Sequence, residues 1–294
     1  RSLDRGDVPG CGLSGIAART IEKAAALNET LRQPVPVLDF AALAEASDCV
    51  IEALPPALFG DLAAPVLRAG KHLIVLSASQ LLGRDDLISL ADESGGHILV
   101  ASGAMLGLDA LNAANIGQIH TVKIVTRKPI DGLVKAQFVA RSGIDLTALQ
   151  EPMQVIAGSV TDVAREFPAN VNVAAAISLA GLGPDKTSME VWADPSLTRN
   201  THSVEVTSDS SDFTMSIQNR PSAENPATGI ITAKNSHDHT IIGSDIFKAT
   251  KNVSWDIDDI AFLQRNFTSI TPTSPKEAPA PFEDKKNFSS GVTV

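Results

Sequence analysis

The chain has 294 residues, 44% of them hydrophobic, with a formal net charge of -10 and a pI near 5.0. At roughly 150 residues per domain this allows about two domains with real cores, and an acidic chain without a clustered basic footprint excludes a nucleic-acid backbone as ligand. Cys11 and Cys49 are isolated thiols, which excludes a disulfide framework, and with no apolar run of roughly 18 residues and no signal peptide in view a cytoplasmic protein is expected.

Short apolar segments alternate with helical ones over the first hundred residues: strands over 13–18, 35–38, 49–54, 72–76 and 97–101, helices over 20–31, 40–46, 58–69 and 81–93. That rhythm predicts βαβ units and a mostly parallel sheet. Ligands of such sheets sit beyond the carboxyl ends of the strands, here at Arg19, 53–56, 77–79 and 102–104. Gly10-Cys11-Gly12-Leu13-Ser14-Gly15 has the glycine spacing of a dinucleotide-binding turn. That turn works only after a strand and at the opening of a helix. Residues 1–9 do not read as a strand, so the match is set aside as accidental.

The next stretch predicts an α+β layer able to pair with a second copy. Helices are expected over 106–115, 159–167 and 173–182, and strands over 121–126, 154–157, 189–193, 204–207 and 213–217. Val122 and Ile124 alternate with Lys123 and Val125, and Phe213, Met215 and Ile217 share one face. Pro168, Asn170 and Asn172 open the helix that Gly183-Pro184 stops, and a polar loop is expected to carry Thr198 to His202. From 235 the chain turns polar, and Pro272, Pro275, Pro279 and Pro281 mark a low-complexity stretch expected to be disordered. His237 and His239 lack third and fourth metal ligands, so no metal site is expected.

The run Phe167-Pro168-Ala169-Asn170-Val171-Asn172-Val173, with Trp192-Ala193-Asp194-Pro195 and Thr198-Arg199-Asn200-Thr201-His202, resembles the L-aspartate dehydrogenases. So do Val50-Ile51-Glu52-Ala53, Ala69-Gly70-Lys71-His72, Ser102-Gly103-Ala104, Thr126-Arg127-Lys128-Pro129, Gly181-Leu182-Gly183-Pro184-Asp185 and Asn225-Pro226. The resemblance spans about residues 1–234. It implies an α/β fold: a Rossmann-like parallel-sheet nucleotide domain over 1–104, incomplete at its N-terminus because the family's first strand and glycine turn are not matched. It also implies an α+β catalytic and dimerisation domain over 105–234, followed by a divergent, partly disordered tail over 235–294. By the same resemblance the chain is a homodimer that oxidises L-aspartate with NAD or NADP to iminoaspartate, then oxaloacetate and ammonia. The imine can also feed NAD biosynthesis.

Oxidising an amine to an imine needs a group that moves protons near neutral pH, and histidine suits this. Of six histidines, His72, His97 and His120 stand at or before strands, whereas His202 matches the family's catalytic position. Resemblance also makes Ala104 and Asn172 cofactor contacts, with a helix cap as the plainer role of Asn172. Arg19 stands where an acidic residue would bind a ribose hydroxyl and an arginine accommodates a 2′-phosphate; an ordinary exposed arginine fits equally well. A substrate with two carboxylates asks for cations, for which Arg199, Lys128 and Arg127 are candidates, with bidentate pairing favouring an arginine. Two alternatives stay open: a catalytically inactive relative serving as a dimeric binding module, or a mispredicted gene product, and a dehydrogenase acting on another amino acid or a semialdehyde.

Overall fold

The computed structural model describes residues 2–8, 10–101, 104–105, 107–134, 136–168, 171–220, 230–231 and 292–293. The fold divides into two compact units, one built on Arg1–Ala101 and the other on Ser102–Ser236.

In the first unit β1 (Cys49–Glu52), β2 (His72–Val75) and β3 (His97–Val100) lie parallel, and the short strand β9 (Val292–Thr293) adds to β3. Each is a nearly unbroken apolar run, the signature of a strand covered on both faces: Leu73, Ile74, Val75, Ile98 and Val100 are fully buried. The helices α1 (Ser2–Arg5), α2 (Ile21–Asn28) and α3 (Phe40–Ala46) precede β1, while α4 (Phe59–Arg68) and α5 (Asp85–Ser94) make the crossovers between the strands. Phe59, Leu62, Ala63, Val66 and Leu67 of α4 are buried. At about 1.5–3 kcal/mol for each large apolar side chain removed from water, this helix is a main source of the unit's stability.

The strands expected over 13–18 and 35–38 contract to one parallel bridge, Ile16 to Val37. The glycine-spaced segment follows α1 rather than a strand, and the next helix opens only at Ile21, so it has neither of the neighbours a pyrophosphate turn needs.

The second unit is a five-stranded sheet ordered β5 (Met153–Ser159), β6 (Ser188–Ala193), β4 (Ile119–Lys128), β7 (Thr201–Ser208) and β8 (Asp212–Gln218). Only the β4–β6 pair is parallel. Period-two alternation decides the faces: Val122, Ile124, Thr126 and Lys128 of β4, Met189, Val191 and Ala193 of β6, and His202, Val204 and Val206 of β7 are all buried. Helices α6 (Leu108–Ile116), α8 (Val160–Glu166) and α9 (Asn172–Ala180) pack in this unit, α8 on β5 and β6 and α6 on α9, and the short α7 (Gln137–Ser142) lies between β4 and β5. Ser159 caps α8 in a reciprocal capping box with Asp162. Gly107 enters α6 at φ +74°, and a Cβ there would come within 2.0 Å of Met215 Sδ on β8. Only glycine meets both conditions.

Two expectations for this unit need correction. His202 lies inside β7, not in a loop before it: its backbone is in register with Thr126 on one side and Ile217 on the other, and a ladder on both flanks extends the strand through a polar side chain. The cap of α9 is Val171, with Asn172 the first helical residue. The greater part of the tail expected over 235–294 lies outside the described residues, as do Ser102, Gly103, Asn170, Asn225, Pro226, His237 and His239.

Candidate active site

One edge of the second sheet gathers the polar residues. β4 and β6 end there and β7 begins there, because Lys128 pairs with Ala193 and Arg127 with Thr201. On the buried face, Thr126 stands opposite His202, and its Oγ1 is 3.1 Å from the imidazole Nδ1. Lys128 follows two residues later on the same strand and face, and His202 and Lys128 are only 6% and 5% exposed. Burial, then the charge of Lys128, pushes His202 down to about 4; burial lowers Lys128 to about 8. Near neutral pH this corner therefore offers an uncharged imidazole, able to accept a proton, beside a largely protonated amine. The corner thus sets a proton acceptor and a cation on one buried face.

The opposite face carries the arginines. The Arg127 guanidinium lies 5.0 Å from the centre of the Trp192 ring and its Nη1 is 3.6 Å from Asp194 Oδ2. Arg199 donates through Nη2 to Gln218 Oε1 at 2.8 Å. Gln218 pairs with Thr201, whose side chain alternates away from that of His202. Lys128 is thus the expected cation that shares the face of His202, while Arg199 and Arg127 are occupied across the sheet. Thr126 was the residue sequence reasoning missed. Extending the alternation of Val122 and Ile124 by two positions would have placed it, with Lys128, on the buried face.

The other expected residues are dispersed. Ala104 is half-buried between β3 and α6, and Asn172 is exposed at the first turn of α9. Arg19 belongs to the first unit, exposed just before Thr20, the N-cap of α2. In that unit Glu52 is fully buried at the carboxyl end of β1. Its carboxylate accepts from the Leu54 N–H at 2.6 Å, the Ser77 N–H at 3.1 Å and the Ser77 hydroxyl at 3.2 Å. This carboxylate pins together the loops after β1 and β2, on the side of a parallel sheet where nucleotides bind. Among the described residues no group of three or more His, Cys, Asp or Glu side chains is placed to hold a metal ion, and no helix is long and apolar enough to cross a membrane.

A parallel-sheet unit followed by a mixed sheet that shelters an imidazole and an amine is the architecture expected of a nicotinamide-dependent dehydrogenase. Residues 1–101 match the family described as homoserine dehydrogenase, NAD binding domain, and residues 109–238 match aspartate dehydrogenase, C-terminal. The chain is 49% identical over 232 residues to an L-aspartate dehydrogenase of Bradyrhizobium diazoefficiens, covering 79% of this chain and 82% of that one. It is 47% identical to L-aspartate dehydrogenase 3 of Bordetella bronchiseptica, covering 79% of this chain and 85% of the relative. It belongs to the L-aspartate dehydrogenase family. A crystal structure of aspartate dehydrogenase from Thermotoga maritima shares the fold, with a TM-score of 0.57 at 21% identity over 83% of this chain and 99% of the other.

Proposed function

We propose that the chain oxidises L-aspartate to iminoaspartate with NAD or NADP, and that water then converts the imine to oxaloacetate and ammonia. The observation that carries this reading is the pairing of His202 with Lys128 on one buried face. The nicotinamide ring, when bound, supplies the acceptor for the Cα hydride. His202, uncharged near neutral pH, takes the proton that the substrate ammonium must lose and hands one back as the imine is hydrolysed. Lys128 pairs with a substrate carboxylate, an interaction made strong by its dry surroundings. Ala104 and the first turn of α9 at Asn172 hold the nicotinamide end of the cofactor, and Arg19 accommodates a 2′-phosphate.

The reading is tested by adding L-aspartate with NAD or NADP to the purified chain and following absorbance of the reduced nicotinamide, with NADH and NADPH titrated separately by fluorescence. Aspartate-dependent reduction is expected. Binding of reduced cofactor without any turnover would favour the inactive relative instead.

Assigning the carboxylate to Lys128 predicts a division among the cations. Lys128→Met raises the apparent Michaelis constant for aspartate roughly 10- to 100-fold, the worth of a hydrogen bond to a charged group. Arg199→Ala leaves it within about twofold, as for an exposed polar pair. Initial-rate kinetics across aspartate concentrations decide it, and the reverse order would return the role to Arg199.

The proposed assembly is a homodimer. The less-covered face of the second sheet supports it: the Lys123–Glu190 ion pair at 2.9 Å, Trp192 donating to Glu190 and Arg127 over Trp192 make a firm, partly apolar platform suited to a second copy. A cytoplasmic site is proposed, with which the free thiols of Cys11 and Cys49 accord. Iminoaspartate released before hydrolysis is the species that would feed NAD biosynthesis.

A further inference from the structure

The mechanism above uses one nitrogen of His202 and leaves the other to be explained. Nδ1 is 3.1 Å from Thr126 Oγ1, and both side chains are buried, Thr126 to 2% exposure and His202 to 6%. The two residues are direct partners across the β4–β7 ladder, so the distance is fixed by backbone register rather than by a mobile side chain. Around the ring, β4 supplies Thr126 and the amine of Lys128, and β8 supplies Ile217 opposite. Lys128 is the charged neighbour that acts on the ring. It carries donors only while protonated, so it cannot accept a proton from Nδ1.

We infer that Thr126 is the positioning residue for His202: its hydroxyl oxygen accepts from Nδ1–H and so reserves Nε2 for the reacting substrate. This rests on the reading of His202 as the proton carrier. The physical reason is economy of movement. A hydroxyl can present a lone pair to Nδ1–H whether the ring is neutral or charged. Nε2 then gains and loses a proton without the ring turning over or changing its bond to Thr126. A neutral imidazole without that acceptor is free to carry its proton on either nitrogen, and with the proton on Nε2 it has no basic atom facing the substrate. Valine at this position has nearly the shape of threonine and suits a buried strand, so the hydroxyl can be removed with little change in packing volume.

The experiment compares Thr126→Val and Thr126→Ser with the wild-type chain. Loss of the partner that orients a metal-bound histidine typically costs 10- to 100-fold, and the same order is expected for an imidazole that moves a proton. Thr126→Val is therefore expected to lower kcat by roughly that factor, with the Michaelis constant for aspartate little changed. The acid limb of kcat/KM moves to lower pH, because the accepting hydroxyl favours the charged ring. Thr126→Ser, which keeps the hydroxyl, restores both. Valine matching wild type, serine losing as much as valine, or a loss with an unmoved acid limb each overturns the inference. A second readout needs no turnover: nitrogen-resolved NMR of the His202 ring. In the wild-type chain the neutral ring carries its proton on Nδ1, and in Thr126→Val that preference is lost; a wild-type proton on Nε2 overturns the assignment. Aspartate oxidation that survives His202→Ala removes the reading underneath, whereas oxidation that needs His202 and ignores Thr126→Val removes this inference alone.

Discussion

His202→Ala is expected to cut aspartate-dependent reduction of the cofactor by roughly 100- to 10,000-fold in kcat, the range typical of a lost general acid or base. Binding of NADH or NADPH should persist in the variant, because the ring sits on the second sheet and the pinned loops at Glu52 belong to the first unit. The pH profile adds a sharper test. Burial and Lys128 hold the imidazole down at about 4 in the free protein, so the acid limb of kcat/KM, which reports the free enzyme, should fall well below the ordinary histidine range. A bound substrate brings two carboxylates to this corner. Opposite charge favours the protonated ring, so the acid limb of kcat, which reports the complex, should lie at higher pH than that of kcat/KM. Steady-state kinetics at several pH values measure both limbs. If His202→Ala loses cofactor binding together with turnover, the residue supports the fold rather than the proton transfer. If kcat survives, another group moves the proton.

How far this corner could be read from sequence follows from what each residue type reports. The βαβ rhythm was legible because parallel strands are covered on both faces and so appear as unbroken apolar runs such as His72 to Val75 and His97 to Val100. Helix α3, Phe40–Ala46, was legible through its run of small apolar residues, and the structure adds its cap, Asp39, whose side chain accepts from the Ala42 N–H. The segments over 13–18 and 35–38 were apolar enough to read as strands. Strand geometry also needs a paired neighbour, and among the described residues Ile16 and Val37 supply only each other.

At the site the errors have one origin. Polarity was taken as a sign of a loop, so Thr201 and His202 were left outside a strand that in fact begins with Thr201. A buried histidine looks like a surface residue in sequence until its partner is known, and Thr126 lies 76 positions away. The same blindness left Arg199, Lys128 and Arg127 as candidates together, with an arginine favoured for its bidentate pairing. The pleat separates them: residues 126 and 128 share the face of residue 202, and Arg199 is drawn to Gln218 across the sheet. Alternation along β4 could place Thr126 and Lys128 on the buried face, but only the register between β4, β7 and β8 sets His202 beside them and Arg199 apart.

Acid should weaken the fold from about pH 6.5 downward, through its buried histidines. His72 and His97 are register partners on β2 and β3, their ring centroids 4.9 Å apart. Burial, then the nearby His97 ring, pushes His72 down to about 4 against the opposing pull of Asp48. Burial lowers His97 as well, opposed by a backbone bond at Gly95 and by Asp92. In the second unit His202 is held at about 4 in the same way. In the unfolded chain each of these rings titrates near 6.5. Between about pH 6.5 and about pH 4 the unfolded state therefore binds protons that the folded state refuses, and stability rises with pH across that window. The stabilisation is fully present above about 6.5, falls as pH drops toward 4, and levels off below. For His72 and His202 the shifts correspond to an upper bound of roughly 3 kcal/mol each, a large part of the 5–15 kcal/mol typical of a folded protein. The carboxylates whose protonation is resisted, Asp86, Asp145, Asp162 and Glu190, are held down by hydrogen bonds and lose their stabilisation only at lower pH. Urea unfolding followed by circular dichroism at about pH 7.5, 5.5 and 4.5 should show the midpoint falling steadily through the histidine window. His72→Phe, which keeps an aromatic ring beside His97 and cannot charge, should flatten the part of that fall belonging to the first unit. A midpoint that is constant down to about pH 4.5 would mean that these rings are hydrated and titrate normally in the native protein.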